Sequence, residues 1–403
     1  MNAGIEPAIV RSLSAGLGQK GVRNHNERLL LSLLQRHGKM PGSDLAKLSG
    51  LSAPTIGAIL KRLESDGLLL RGDPVRGKVG KPSVPMMLSP DGVLSFGLKL
   101  GRRSADLLLM DFTGKVRQHR HSSYLNPVPE DVFAFLRDSI SDITAGLSPQ
   151  EATRICGLGV AAPFELWNMR DLTGRDADNY TLWKDIRISD EVARFSALPV
   201  LLVNDSTAAC QAEQVFGRGK EFRDYAYFFV GAYVGGGVVL NHSVFEGGQG
   251  NAGALGSLRS IGPHGESKQL IDIASIHLLE ARLREVDLDP SLIWSKPQDW
   301  TAIARYVDPW LGQTAQELAR ASLSACSAID FEAILIDGAF PPEIRDQLVE
   351  RVRRYIVTQD TRGLIHPAIH GGQVGGNARA IGAASAPIFS QYLLNKNAGL
   401  AVA

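Results

Sequence analysis

The sequence predicts an α/β protein in which a small, mostly helical N-terminal unit precedes a larger body built twice on one plan. Three observations lead there. The chain has 403 residues, too many for one ordinary core. Its grammar changes at Pro90-Asp91-Gly92, from short apolar stripes at helical spacing to strands that end in glycine turns. The charge is also divided: residues 1–90 carry 13 Lys/Arg against 6 Asp/Glu, net +7, and the remainder 30 against 36, net −6. A basic head on an acidic body points any nucleic-acid role at the head.

The overall composition, 44% hydrophobic and 21% charged with 42 Gly, is that of a soluble α/β protein. Cys156, Cys210 and Cys326 are far apart and in no Cys-x-x-Cys spacing, which argues against a zinc ribbon and a disulfide framework and fits a reducing cytoplasm. No run of about 18 apolar residues occurs, and the first residues lack a charged segment followed by an apolar core. Neither a membrane span nor a signal peptide is expected.

Residues 1–21 are Gly/Ser-containing and weakly periodic and read as a flexible arm. From Asn24, Leu29, Leu30, Leu33 and Leu34 recur at helical spacing, with Gly38 as a stop. Ser43 is expected to cap a second helix whose Leu45, Ala46 and Leu48 face inward, and Gly50 to make the turn. Ser52 caps a third, in which Pro54 is tolerated in the first turn, Ile56, Ile59, Leu60 and Leu63 form the buried stripe, and Gly67 is the stop. Strands at Leu68–Arg71 and Ser83–Leu88 then flank a basic, Gly-rich loop. These are the parts of a winged helix-turn-helix, spanning 22–90.

The outer face of the third helix shows Ser52, Ala53, Thr55, Gly57, Ala58, Lys61 and Arg62. Small and hydroxylated residues near its N-terminus suit entry into a major groove, and Lys61 and Arg62 suit backbone phosphates. Arg76, Lys78 and Lys81, interleaved with glycines at the loop tip, suit the phosphate backbone or the minor groove. With Ser43, these are the candidate DNA-binding residues. An ordinary solvated face and loop are the bland alternative, which the adjacency of loop and helix-turn-helix disfavours.

In the body, 91–393, strands are expected at Val93–Leu98, Ala105–Met110, Val116–His119, Ile155–Ala161, Pro199–Val203, Tyr225–Val230, Val238–Leu240 and Ala333–Ile336, with helices at Val132–Ile143 and Ser206–Val215. Glycine turns are expected at Gly231–Gly237 and Asp337-Gly338, and residues 394–403 read as a tail. Similar halves suggest a duplicated α/β domain with a cleft between them.

From about Gly21 to Leu393 the chain resembles the ROK family (repressors, open reading frames, kinases), in its transcriptional-regulator branch. The resemblance rests on the winged helix ahead of Phe96-Gly97-Leu98-Lys99-Leu100-Gly101, on Val203-Asn204-Asp205-Ser206-Thr207-Ala208-Ala209, and on the run Gly247–Gly256. It implies a two-lobed, ribonuclease H-like domain of the actin/hexokinase type. Kinases of the family phosphorylate hexoses with ATP, and its regulators sense sugars or their derivatives.

Departures from the family pattern select the branch. The kinases open their first phosphate loop with Asp-x-Gly and small residues; here the run is Lys99-Leu100-Gly101-Arg102-Arg103, a Lys for the metal-side carboxylate and two Arg in the phosphate space. The adenosine-side turn is Asp337-Gly338-Ala339-Phe340. The family's zinc motif is reduced to Gly253-Ala254-Leu255-Gly256-Ser257 and a segment with no thiolate, so no metal and no cofactor are expected; His264 is a lone His in a polar loop. Of the residues that grip sugar in relatives, Asn204 and Asp205 remain. The ligand-binding candidates are Asn179, Asn204, Asp205, Asn251 and Ser257, with helix capping as the plain role of Asn204 and Asp205 and core packing that of Trp183.

The resemblance implies a DNA-binding regulator of carbohydrate genes, a homodimer or tetramer on an operator, repressing until a sugar or derivative binds its cleft. An ATP-dependent sugar kinase with a DNA-binding head is the alternative.

Overall fold

Leucines at helical spacing make the first described element a helix. A computed structural model describes residues 19–74, 83–124, 126–163, 180–262, 265–295 and 297–394. Helix α1 (Gln19–His37) buries Leu30, Leu31 and Leu34. The expected stripe is therefore rotated: Leu31 is core, whereas Leu29 and Leu33 are half-buried, since the neighbours of α1 cover one side of the run and not the other. Helix α2 (Gly42–Ser49) is preceded by Pro41 as N-cap, which offers no side-chain acceptor. Ser43 lies inside the first turn and is not the cap, because the two-residue strand β1 (Met40–Pro41) pairs with β3 (Pro85–Leu88) and the helix starts directly behind it. Leu45 is buried as expected, but Leu48 is exposed.

Helix α3 (Ala53–Ser65) buries Ile56, Ile59, Leu60 and Leu63, and Gly67 with φ +75° ends it. Strand β2 (Leu69–Arg71) pairs antiparallel with β3, the wing expected from sequence. The wing-tip candidates Arg76, Lys78 and Lys81 lie outside the described residues, as do Asn179 and His264.

Beyond the head, two five-stranded sheets repeat one topology. In the first, β4 (Leu94–Leu100), β5 (Ser104–Asp111), β6 (Val116–Ser123), β7 (Ile155–Ala162) and β8 (Val200–Asn204) take the order β6-β5-β4-β7-β8. Its first three strands are antiparallel and β7 lies parallel to β4. Helix α4 (Pro129–Ala145) puts Leu136 and Ile143 into the core of Leu94, Phe96, Leu98 and Val160.

In the second sheet, β9 (Tyr225–Val230), β10 (Val234–Leu240), β11 (Ser243–Phe245), β14 (Ala333–Gly338) and β15 (Ala368–Gly371) take the order β11-β10-β9-β14-β15, again antiparallel and then parallel. The strands β9 and β14 are buried at every position, as central strands covered on both faces must be. Helices α5 (Asp205–Phe216), α6 (Ile276–Glu285), α7 (Ala304–Ala328) and α8 (Pro342–Ile356) accompany this sheet, and β12 (Arg259–Ile261) and β13 (Ser267–Gln269) form a separate hairpin. The chain closes with α9 (Ala378–Tyr392).

Gly235, Gly236 and Gly237 correct the sequence reading: they lie inside β10 and not in a turn. Cβ atoms there would collide with Ser206, with Leu255 and the Tyr227 carbonyl, and with Cys210. The strand needs glycine because α5 and the turn at Leu255 lie against it.

The chain divides into two compact units, Met1–Val203 with Ala383–Ala403, and Asn204–Gly382. Within the first unit the end of α9 holds the head. Arg28 of α1 donates to the carbonyls of Phe389, at 3.0 Å, and Ser390, and the Leu394 N–H donates to Ser32 Oγ at 2.8 Å. Arg154 adds a bond to the Asp66 carbonyl at 2.9 Å. All three cysteines are free, and no described helix is long and apolar enough to cross a membrane.

Candidate nucleic-acid interface and ligand-binding turn

Helix α3 has the construction of a reading element. Ser52 caps it, its Oγ accepting from the Thr55 N–H at 3.4 Å and sharing a hydrogen bond with Thr55 Oγ1 at 2.8 Å. Opposite the buried stripe, Ser52, Ala53, Gly57, Ala58, Lys61 and Arg62 are exposed and Thr55 is half-buried. Side chains this small near the N-terminus allow the helix backbone to come close to a groove floor. Ser43, on the first turn of α2, is exposed as well.

The structure separates the two cations that sequence alone treats alike. Arg62 Nη1 lies 2.8 Å from Glu27 Oε1 and its Nε 3.7 Å from Asp66, so its guanidinium clamps α3 to α1. Lys61 has no ion pair among the described residues and is exposed, so its ammonium is available to a phosphate. At the root of the wing, Arg71 grips Glu64 of α3 through Nε at 2.6 Å and Nη2 at 2.8 Å, tying the wing strand to the helix; this pairing holds the Glu64 carboxyl below its usual range.

The run equivalent to a phosphate loop is closed by an internal ion pair. Lys99 Nζ lies 2.6 Å from Ser104 Oγ and 2.9 Å from Asp106 Oδ2. Asp106 also meets His121 Nδ1 at 2.7 Å and His119 Nε2 at 3.2 Å. Burial pushes the Asp106 carboxyl up, but the His119 bond, the Lys99 charge and the His121 bond outweigh it and hold it well below the carboxylate range. Among the described residues no group of three or more His, Cys, Asp or Glu is placed to hold a metal ion.

Asn204 and Asp205 meet at the start of α5. Asn204 Oδ1 accepts from the N–H groups of Ser206 at 3.0 Å and Thr207 at 3.2 Å, so its oxygen caps the helix. Asp205 Oδ2 faces Arg379 Nη1 at 3.3 Å, and Arg379 also lies over the Phe229 ring, 5.0 Å from its centroid. Ser206 flanks Gly235 of β10, and Gly256 in the turn Leu255–Ser257 lies against the Val234 carbonyl. The turns bearing Asp205 and Ser257 therefore border the same stretch of β10. Ser257 and Asn251 are both exposed. Trp183 proves to be core, its indole N–H bound to the Pro127 carbonyl at 2.7 Å. Sequence reasoning missed Arg379. Its one signal was a lone cation within Gly375-Gly376-Asn377-Ala378-Arg379.

On the adenosine-side turn, Asp337 is buried and accepts from Gly375 N–H at 2.7 Å and Gly338 N–H at 2.9 Å. Burial and the nearby Glu213 push its carboxyl up to about 7. A cavity of about 270 Å³ beside it is lined by Gln298, Phe340, Pro341, Arg345 and Gly375 among others.

Comparison with known proteins bears on the fold and the family. The ROK family model matches residues 95–387, and a winged helix-turn-helix DNA-binding model matches residues 23–69. An uncharacterized protein of Sinorhizobium fredii is 24% identical over 91% of both chains. The xylose repressor of Bacillus subtilis is 22% identical over 60% of this chain and 62% of its own. The DNA-binding transcriptional dual regulator NagC of Escherichia coli is 22% identical over 61% of this chain and 59% of its own. The chain thus spans about three fifths of those two regulators. Among solved structures, a ROK family transcriptional regulator described as a homolog of the E. coli MLC protein superposes with a TM-score of 0.64 at 20% identity, covering 94% of this chain and 97% of that one. A ROK glucokinase from Streptomyces griseus, in complex with glucose and AMPPNP, reaches 0.55 at 19% identity over 72% of this chain and 98% of its own. With a family model covering most of the body and a DNA-binding model covering the head, the chain belongs to the ROK family.

Proposed function

We propose that this protein is a sequence-specific DNA-binding repressor of carbohydrate genes whose grip on its operator is set by a sugar or sugar derivative bound at Asn204 and Asp205. One observation carries the reading: an N-capped α3 presents small side chains and a Lys61 with no ion pair among the described residues on its exposed face, ahead of a ROK body. A xylose repressor and a DNA-binding transcriptional dual regulator among the relatives support it. Ser43, Ser52, Ala53, Thr55 and Lys61 are the assigned contacts from the described head, with Arg76, Lys78 and Lys81 assigned to the wing. Two copies on one operator would place two α3 helices in successive major grooves. The effector acts by binding one arrangement of the chain better than another, since equal affinity would shift nothing.

The kinase alternative is disfavoured by Lys99, which is paired with Asp106 at the metal side of the phosphate loop, and by the Arg379 contact to Asp205, the family's general base. Two assays decide between the readings. Selection of bound duplexes from a random pool should return a defined site, and incubation with ATP, magnesium and hexoses should give no sugar phosphate. Ordinary turnover in the second assay would reverse the ranking.

A further inference from the structure

Arg379 is the feature of the ligand-binding turn that the proposed function does not use. Its side chain is 14% exposed, and Asp205, its partner, 16%. The contact between them is 3.3 Å, long for a charge-assisted bond, where about 2.7–2.9 Å is usual. One face of the guanidinium is covered by Phe229. The Nε–H is buried and has no hydrogen-bond acceptor among the described residues. A buried donor without an acceptor is costly and persists where something else completes it.

The first turn of its own helix, α9, brings Arg379 no anion, and the positive end of that helix adds to the guanidinium. The Asn204 oxygen is already committed to the N–H groups of Ser206 and Thr207. Among the described residues the guanidinium has Asp205 Oδ2 as its hydrogen-bond acceptor, and its Nε–H is left over.

From this imbalance we infer that the effector is an acidic sugar, a polyhydroxy compound carrying a carboxylate or phosphate, with the oxyanion held by Arg379 and a hydroxyl by Asp205. The inference rests on the reading that Asp205 meets the effector. A neutral sugar reaching Asp205 must loosen the Arg379 contact and gives the guanidinium no charge in return. An oxyanion takes over the guanidinium, whose fork matches two oxygens of one anion, and frees Asp205 to accept from a hydroxyl. Arg379 is thereby the specificity-determining residue, selecting charge at a site whose kinase relatives take neutral hexoses.

The test is calorimetry on the full chain with matched sets of glucose, glucuronate and glucose 6-phosphate, and the same for mannose, galactose and N-acetylglucosamine with its 6-phosphate. At least one anionic member should bind tenfold or more tightly than its neutral parent, and less tightly as salt rises. The carboxylate and phosphate arms identify which oxyanion is used. Arg379→Gln should abolish the preference while leaving the DNA affinity measurable, and Arg379→Lys, which keeps the charge, should retain part of it. Neutral sugars binding as tightly as both acidic forms, or a preference unchanged in Arg379→Gln, would overturn the inference and leave sugar sensing intact. If no sugar binds to a chain that still binds DNA, the underlying reading fails too.

Discussion

Lys61 and Arg62 are neighbours on one helix, yet Arg62 is ion-paired to Glu27 and Lys61 has no ion pair among the described residues. Lys61→Ala removes an exposed ammonium with no ion pair among the described residues, so the chain's stability should be unchanged within about 0.5 kcal/mol. If that ammonium meets a phosphate, its loss removes one released counterion per head, and the slope of log K against log salt should fall by about 0.9 per head. Arg62→Ala instead removes the clamp to Glu27 at 2.8 Å. With Arg62 42% exposed and Glu27 17%, solvent screening limits the cost to about 0.5–1 kcal/mol of stability, with little change in the salt slope. Fluorescence anisotropy with a labelled duplex over a salt series measures the slopes. Any duplex serves, because phosphate contacts do not depend on sequence. Denaturant unfolding measures the stability. If Arg62→Ala flattens the salt dependence as much as Lys61→Ala does, the division of labour is wrong and Arg62 leaves Glu27 for the phosphate.

Three further outcomes are expected. Ser52→Ala, which deletes the acceptor for the Thr55 N–H, should cost about 1 kcal/mol of head stability and weaken binding to all duplexes, read by hydrogen exchange in α3 together with anisotropy; unchanged protection there would count against the cap. Asp106→Ala removes the carboxylate that pairs with the nearly buried Lys99 ammonium, and should destabilise the chain by roughly 3 kcal/mol in urea unfolding, a cost that Lys99→Met in the same chain should partly relieve. Asp337 has its folded pKa raised from 3.8 to about 7, so the folded state favours its protonated form: the stability it contributes is full below about pH 4 and is lost as pH rises through about 7. Thermal unfolding between pH 5 and 8.5 should show that decline in the parent and a flatter profile in Asp337→Ala; parallel profiles would contradict the raised value.

The sequence was most legible where signals are local. Ser52, Pro54 and the stripe Ile56, Ile59, Leu60 and Leu63 specify α3 within fourteen residues, and all four apolar positions are buried. The two sheets could be read as a duplication because strands such as Tyr225–Val230 are apolar throughout and end in punctuating residues. Legibility failed where partners are distant in the chain. Gly235–Gly237 read as a turn, since their reason for being glycine is the close approach of Ser206, Leu255 and Cys210. Leu48 followed the periodicity of α2 but is exposed, because a pattern fixes a face and not what covers it. The Arg62–Glu27 pair spans 35 positions and the Arg379–Asp205 contact 174, so neither could be read from a local pattern.

The central claim is that one chain joins a DNA reader to a sugar sensor. Its most direct test is the affinity of the intact protein for its selected operator, measured by anisotropy with and without each member of the neutral and acidic sugar panel at fixed salt. The account predicts a defined operator and at least one sugar that changes Kd by fivefold or more, with no effect of that sugar on a variant carrying Asp205→Ala. An operator affinity that no sugar changes, in a chain that binds those sugars, would contradict it.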